Sequence, residues 1–175
     1  MTTISHKIAL PLALVLGPWV SASVPEVVKG SVPVVEQVGA SRFSVFVWDV
    51  YDISLYAPEG RFDPKTPYAL HLEYLRNIRG DMIAEKSVDE MRKQGVSEVK
   101  LAAWFVQMKE IFPDVDRGTE LIGVFNPDGP TEFYNGSELI GQVVDPEFGP
   151  AFSAIWLGEQ SSRPSLREKL IGMKG

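Results

Sequence analysis

Few side chains in this sequence are of the types that move protons or form covalent intermediates near neutral pH. There is no cysteine, and the only histidines are His6 and His71. The chain therefore has no thiol nucleophile and cannot build a His/Cys zinc site or a multi-histidine metal centre. A serine–histidine–aspartate triad would have to use His71, which shares a polar strand face with Glu73 and has no GxSxG elbow nearby. His71 reads either as an ordinary solvent-facing strand residue or as the one proton-transfer group the chain offers. Asp114, Asp116 and Glu120 lie around Gly118 without the twelve-residue ligand pattern of a calcium loop, so that stretch reads as a solvated turn. No glycine-rich phosphate or dinucleotide loop is present, so no cofactor is expected.

Arginines beside apolar residues carry the more specific chemistry. Arg42 falls in step with Phe46 and Trp48 if the segment is one continuous strand. A guanidinium buried on such a face needs an anionic partner, and its fork can hold a carboxylate or phenolate by two parallel bonds. On that reading Arg42 orients the head of a mostly apolar ligand. The same spacing lets Arg42 pair with Glu36, Asp49 or Asp52, or face water.

The elements that would position these groups come in blocks. Val32–Gln37 and Phe43–Tyr56 have strand composition. Tyr51, Ile53 and Leu55 alternate with Asp52 and Ser54, while before Asp49 both faces are apolar, which predicts a strand covered on both sides with a bend or bulge near Asp49. Pro58 and Gly60 end it. Tyr68, Leu70, Leu72 and Tyr74 then form one face of a strand whose other face carries His71 and Glu73, with Arg76 at its end.

Two helices are expected next. One is capped by Asp81 and stopped at Gly95; the other is capped by Ser97 and carries Leu101, Trp104, Phe105, Met108 and Ile111 at helical spacing until Pro113. Leu121–Phe125 returns to strand, and Asn135-Gly136 predicts a two-residue hairpin turn with both positions at positive φ. Asp145-Pro146 and the box Ser165…Glu168 signal two more helix starts. Trp104, Met108 and Trp156 read as core first and as pocket lining second. Strands, a helical pair, a hairpin and terminal helices make one α+β domain, with helices covering a mainly antiparallel sheet.

Composition narrows the partners. With 175 residues, 45% of them hydrophobic, the chain can bury one substantial core. A net charge of −6 without a basic cluster argues against nucleic acid. Lys7 followed by the apolar run Ile8–Val20 and the small residues Ser21-Ala22-Ser23 has the form of a cleaved secretory signal over residues 1–23, leaving residues 24–175 as the mature domain. The run is too short, and too interrupted by Pro11, Gly17 and Pro18, for a spanning helix, so no transmembrane segment is expected in the mature chain. Export to the periplasm or outside the cell is the expected localisation. Without disulfides, the exported domain would depend on packing alone.

Four segments placed in order carry a resemblance: VGASRFSVFVWDVYDISLY (38–56), YALHLEYLRNIRGDMIAE (68–85), EFYNGSELIGQVVDPEF (132–148) and AIWLGEQSSRPSLREKLIG (154–172). Together the chain resembles the bacterial secreted branch of the chalcone isomerase-like family. The resemblance implies an open-faced β-sandwich, a curved antiparallel sheet whose helices enclose a cleft for an elongated or planar apolar ligand. It also implies that Arg42 stands where family members that bind fatty acids or isomerise chalcones carry an arginine.

The isomerases add a tyrosine and an asparagine near the strand-to-helix junction, where this chain has Ile78-Arg79-Gly80-Asp81-Met82-Ile83. Arg42, Trp48, Tyr51, Tyr74 and Arg76 are the candidate ligand-binding residues. The expectation is a non-catalytic carrier of a small amphipathic or fatty-acid-like ligand. The alternatives are an isomerase or intramolecular lyase using Arg42 and Tyr51, and an envelope accessory protein that docks to a protein partner.

Overall fold

The computed structural model describes residues 23–173. Its centre is a six-stranded antiparallel meander in sequence order, formed by β1 (Val35–Val45), β2 (Trp48–Pro58), β3 (Tyr68–Tyr74), β4 (Glu120–Phe125), β5 (Thr131–Asn135) and β6 (Glu138–Val143). The sheet is open, with β1 and β6 as its edges. Between β3 and β4 the chain makes the helical pair α2 (Gly80–Lys93) and α3 (Glu98–Ile111), and after β6 it adds α4 (Phe148–Leu157) and α5 (Pro164–Leu170). All four pack on the face carrying Ile53, Leu55, Leu70, Leu72 and Tyr74. A short helix preceding the sheet, α1 (Glu26–Ser31), covers the opposite face through Val28 and Val32 against Tyr56, Ala69, Ile122 and Val124. The α+β expectation holds, and α1 is an element that the sequence reading did not assign.

Period-two alternation explains why the sheet is apolar on both sides of β2–β4. Tyr51, Ile53 and Leu55 face the four helices, and Tyr56 faces α1. Both edges are guarded by close backbone approach. At Gly39 on β1 a Cβ would lie 2.1 Å from the carbonyl oxygen of Lys169 on α5, and at Gly141 on β6 it would meet the Ile111 side chain at 2.6 Å. The entry to the helical pair is closed by reciprocal backbone bonds of 2.9 Å between Ile78 and Val115, with the Gly80 N–H donating to the Asp114 carboxylate at 2.8 Å. A Cβ on Gly80 would stand 2.1 Å from the Phe112 carbonyl oxygen, so only glycine allows this joint.

Several boundaries differ from expectation. The run Phe43–Tyr56 is not one strand: Phe46-Val47 is a two-residue turn, with Val45 opposite Trp48, and β1 and β2 flank it. A register shift between Phe43 and Ser44 supplies the expected irregularity beside Asp49. Turn chemistry gave no signal there, because neither residue is glycine, asparagine or aspartate, yet Phe46 takes φ +53°. The turn after β5 is Gly136-Ser137, and of the expected Asn135-Gly136 pair only Gly136 has positive φ.

Helix starts are also displaced. Arg79 and Arg163 occupy the N-cap positions of α2 and α5 instead of Asp81 and Ser165, and α4 begins at Phe148. Asp145 instead accepts hydrogen bonds from the Glu147 N–H and from the Trp104 indole, both at 2.9 Å, which ties α4 to α3. The expected cleaved leader falls almost wholly outside the described residues.

Candidate functional site

The helices do not close fully on the sheet. They leave a cavity of about 390 Å³ beneath α2 and α4, within the size range of roughly 300–1,000 Å³ common to small-molecule sites. Its floor is hydrocarbon: Leu70 and Leu72 from β3, Phe125 and Phe133 from β4 and β5, Phe112 beyond α3, and Phe152 from α4. Phe152 packs against Phe133 and Phe148 with ring centroids 5.4 and 5.3 Å apart. The wall therefore rests on a fixed aromatic stack. Toward the opening the lining becomes mixed, with Phe43, Val45, Met82, Lys86, Glu90, Ser162 and Arg163.

Two tyrosines bring hydroxyls to this apolar space. Tyr51 lies against Phe43 (4.9 Å between centroids, 19° between planes) and meets Tyr74 edge-on at 5.7 Å. The Trp156 indole N–H donates to the Tyr51 hydroxyl oxygen at 2.9 Å. An indole can only donate, so Tyr51 is the acceptor in that bond and its own O–H hydrogen is free to point elsewhere. Burial pushes the Tyr51 pKa up to about 12, partly offset by the Trp156 bond and the Arg163 charge. Tyr74 is pushed higher, by burial first and then by Tyr51. Both hydroxyls stay protonated at neutral pH, so each O–H is available to donate a hydrogen bond.

The charge at the opening comes from the end of the chain and from α2. Arg163, the residue before Pro164, lies 5.0 Å above the Phe43 ring and makes no ion pair within 4 Å among the described residues. Glu90 faces the same opening, accepts from Ser162 at 2.7 Å and pairs with Lys93 at 2.7 Å. Burial resists its ionisation, but those bonds and the charges of Lys93 and Arg163 outweigh burial and hold its carboxyl below the usual range.

The candidate residues separate into two groups. Tyr51 and Tyr74 line the cavity. Arg42, Trp48 and Arg76 do not. Arg42 lies on the opposite face of the hairpin, paired across the strands with Asp52, and its guanidinium donates to Asp52 at 2.7 and 2.8 Å and to Asp49 at 3.0 Å. Its side chain is 51% exposed. The turn at Phe46-Val47 and the register shift after Phe43 break the continuous alternation that put Arg42 in step with Phe46 and Trp48, so the expectation of Arg42 inside the cleft is corrected. Trp48 stands on the hairpin end with the Arg76 guanidinium 4.5 Å above its ring.

His71 is on the α1 side of the sheet, with its imidazole 3.3 Å from the Glu120 carboxylate, away from the cavity. Asp114 and Thr119 are engaged by backbone N–H groups of Gly80 and Asp116, so the segment around Gly118 is a structural turn. Among the described residues no group of three or more His, Asp or Glu is arranged to hold a metal ion. No helix among them is long and apolar enough to cross a membrane.

Arg163, Lys86 and Glu90 were missed by sequence reasoning. Arg163 follows two serines in a loop with no periodicity, and the charges of α2 read as an ordinary solvated face, so no local signal marked them.

The comparisons with known proteins agree with this architecture. Among solved structures, a fatty-acid binding protein of Arabidopsis thaliana superposes with a TM-score of 0.61 at 13% identity, over 80% of this chain and 88% of the other. At that identity the likeness is one of fold. None of the curated proteins compared matches the sequence. The chalcone isomerase-like family model matches residues 35–172, from the first residue of β1 to just past α5, and the chain belongs to that family.

Proposed function

We propose that the protein binds one elongated, mostly apolar molecule with a polar or anionic end, of the fatty-acid class, and carries it without chemical conversion. The observation that supports this most directly is the cavity, hydrocarbon at its floor, with the Tyr51 and Tyr74 hydroxyls in its lining and the Arg163 guanidinium toward its opening. Burying an acyl chain against Leu70, Phe125, Phe133 and Phe152 stabilises by about 0.8 kcal/mol per methylene. Tyr51 and Tyr74 then donate to a ligand oxygen, and Arg163 supplies the charge that Arg42 does not. The chalcone isomerase-like family includes both ring-closing isomerases and fatty-acid binding proteins, and the fatty-acid binding protein noted above supports the carrier reading. The two tyrosines, with pKa values raised far above neutrality, suit donation better than proton transfer. The leader-like residues 1–23 support export to the periplasm or the exterior as the setting.

The test is native mass spectrometry of protein purified without detergent, followed by titration of the delipidated protein with a fluorescent fatty acid. A co-purifying acyl chain, or saturable binding weakened about tenfold by Arg163→Met, supports the carrier. Absence of both overturns it. Turnover of a hydroxychalcone, followed by its visible absorbance, would establish the isomerase alternative.

A further inference from the structure

The distal end of the β1–β2 hairpin is the most exposed apolar feature among the described residues. Phe46 is 97% exposed, Val47 86% and Trp48 58%. These residues are consecutive, and Val45, which precedes them, lines the cavity. Soluble surfaces seldom display adjacent large apolar side chains unless something covers them. Phe46 also holds φ +53°, a conformation that costs a bulky L residue energy and that glycine would adopt freely. Asparagine or glycine would make this turn more stably, so the aromatic ring is kept there against local preference.

We propose that this hairpin end inserts into the surface of an anionic lipid bilayer and brings the mouth of the cavity against it. Phe46 and Val47 enter the acyl boundary, and Trp48 lies at the level of the headgroups, where indoles concentrate. Arg76 sits over Trp48 at 4.5 Å and makes no ion pair within 4 Å among the described residues, which leaves its guanidinium for a lipid phosphate. At the cavity opening Arg163 adds positive charge, while Lys86 is paired with Asp89 at 3.3 Å and Glu90 with Lys93 at 2.7 Å. The nearest carboxylates of the hairpin, Asp49 and Asp52, are clasped by Arg42, and Asp81 is paired with Arg79. Among the described residues Arg76 and Arg163 are thus the cations near the tip without an ion pair, while the carboxylates beside them are paired, which suits an anionic surface although the whole chain is acidic.

A second copy of the chain fits the tip less well. A four-residue point buries far less than the roughly 1,000 Å² a specific protein interface needs. In a two-fold dimer about the tip, each Arg76 would also approach its own counterpart.

The proposal goes beyond ligand binding and stands or falls separately from it. Delipidated protein is mixed with vesicles of phosphatidylcholine alone and of phosphatidylcholine with phosphatidylglycerol, then sedimented. The expected result is retention by the anionic vesicles, a blue-shifted emission that is quenched by brominated lipid, and loss of that signal in Trp48→Phe. Phe46→Asp should weaken retention by at least about tenfold, since it removes one buried aromatic side chain. Phe46→Gly should do so too, while relieving the positive φ and keeping the thermal midpoint at or above that of the parent. Arg76→Gln should weaken binding to the anionic vesicles only, and less so at high salt. No retention by either vesicle, or equal retention of the Phe46 variants, overturns the proposal. So does a concentration-dependent dimer that Phe46→Asp dissociates, which would make a second copy the occupant. Fatty-acid affinity in solution should be the same for parent and Phe46 variants, so failure of the carrier reading would not be mistaken for failure of this one.

Discussion

The sheet buries apolar residues on both faces, and the two are finished differently. On one, α1 lays Val28 and Val32 directly onto Tyr56, Ala69, Ile122 and Val124. The other carries α2, α3, α4 and α5 and yet encloses about 390 Å³ of free space. A close-packed interior leaves few voids larger than a water molecule, so the second face is not simply a core. Apolar residue type therefore does not separate core from pocket. What separates them is whether an opposing helix descends far enough to fill the gap.

Truncations on the two faces give the largest contrast. Tyr56→Ala, on the filled face, should cost about 3–5 kcal/mol, because it removes a wholly buried ring and leaves a new hole. Ile155→Ala, on the cavity wall, borders space that is already empty and should cost about 1 kcal/mol or less, while altering fatty-acid affinity. Denaturant midpoints of the two delipidated variants measure this. Equal losses would mean that the cavity collapses in solution and that both faces are core.

Next in size is the hydroxyl of Tyr51. Tyr51→Phe leaves the Trp156 N–H without the acceptor it has at 2.9 Å, so stability should fall by about 1–3 kcal/mol even without ligand. The pH dependence adds a direction. A tyrosine whose folded pKa is raised stabilises the fold below its unfolded pKa, and that contribution is lost as pH rises through the folded value. For Tyr51 the loss runs from pH 10 to about 12, and it should shrink in the Tyr51→Phe variant. An alkaline unfolding curve unchanged by the substitution would place the titration elsewhere.

Tyr74→Phe sharpens the comparison from the other side. Burial raises its pKa and no protein hydrogen bond opposes it, so losing the hydroxyl should leave the unliganded protein as stable as before or slightly more so. Affinity for a fatty acid should fall by about 0.5–1.5 kcal/mol, the net contribution of one hydrogen bond. Unchanged affinity would remove Tyr74 from the site and leave Tyr51 as the donor.

Much of this was legible in the sequence wherever one rule governed the outcome. The alternation of Tyr51, Ile53 and Leu55, and of Tyr68 through Tyr74, located β2 and β3 and their buried faces, because period two allows no other assignment. The helical pair was equally plain, since Gly95 and Pro113 mark its ends. The two tyrosines of the cavity came with β2 and β3. Arg163 did not, because it reaches the opening only when α5 docks on β1 at Gly39, a contact across well over a hundred residues that no local pattern records. The Phe46-Val47 turn was hidden because its residues have the composition of a buried strand.

Arg42 shows what that hidden turn costs, and it supplies the smallest expected effect. Read along an unbroken strand, it points into the cleft. With the turn and the register shift in place, Phe43 faces Tyr51 on the cavity side and Arg42 falls opposite Asp52 on the other. Its bonds to Asp52 and Asp49 lie in water, and exposed pairs of this kind contribute little after side-chain entropy and screening. Arg42→Met should therefore shift the denaturant midpoint barely beyond error and leave fatty-acid affinity unchanged, while Arg163→Met weakens affinity and leaves stability alone. Measuring both variants by the same titration and the same melt decides which arginine serves the cavity. If Arg42→Met weakened binding and Arg163→Met did not, the hairpin would have to pair in solution with the opposite register, and the cavity described here would lose its boundary at Phe43.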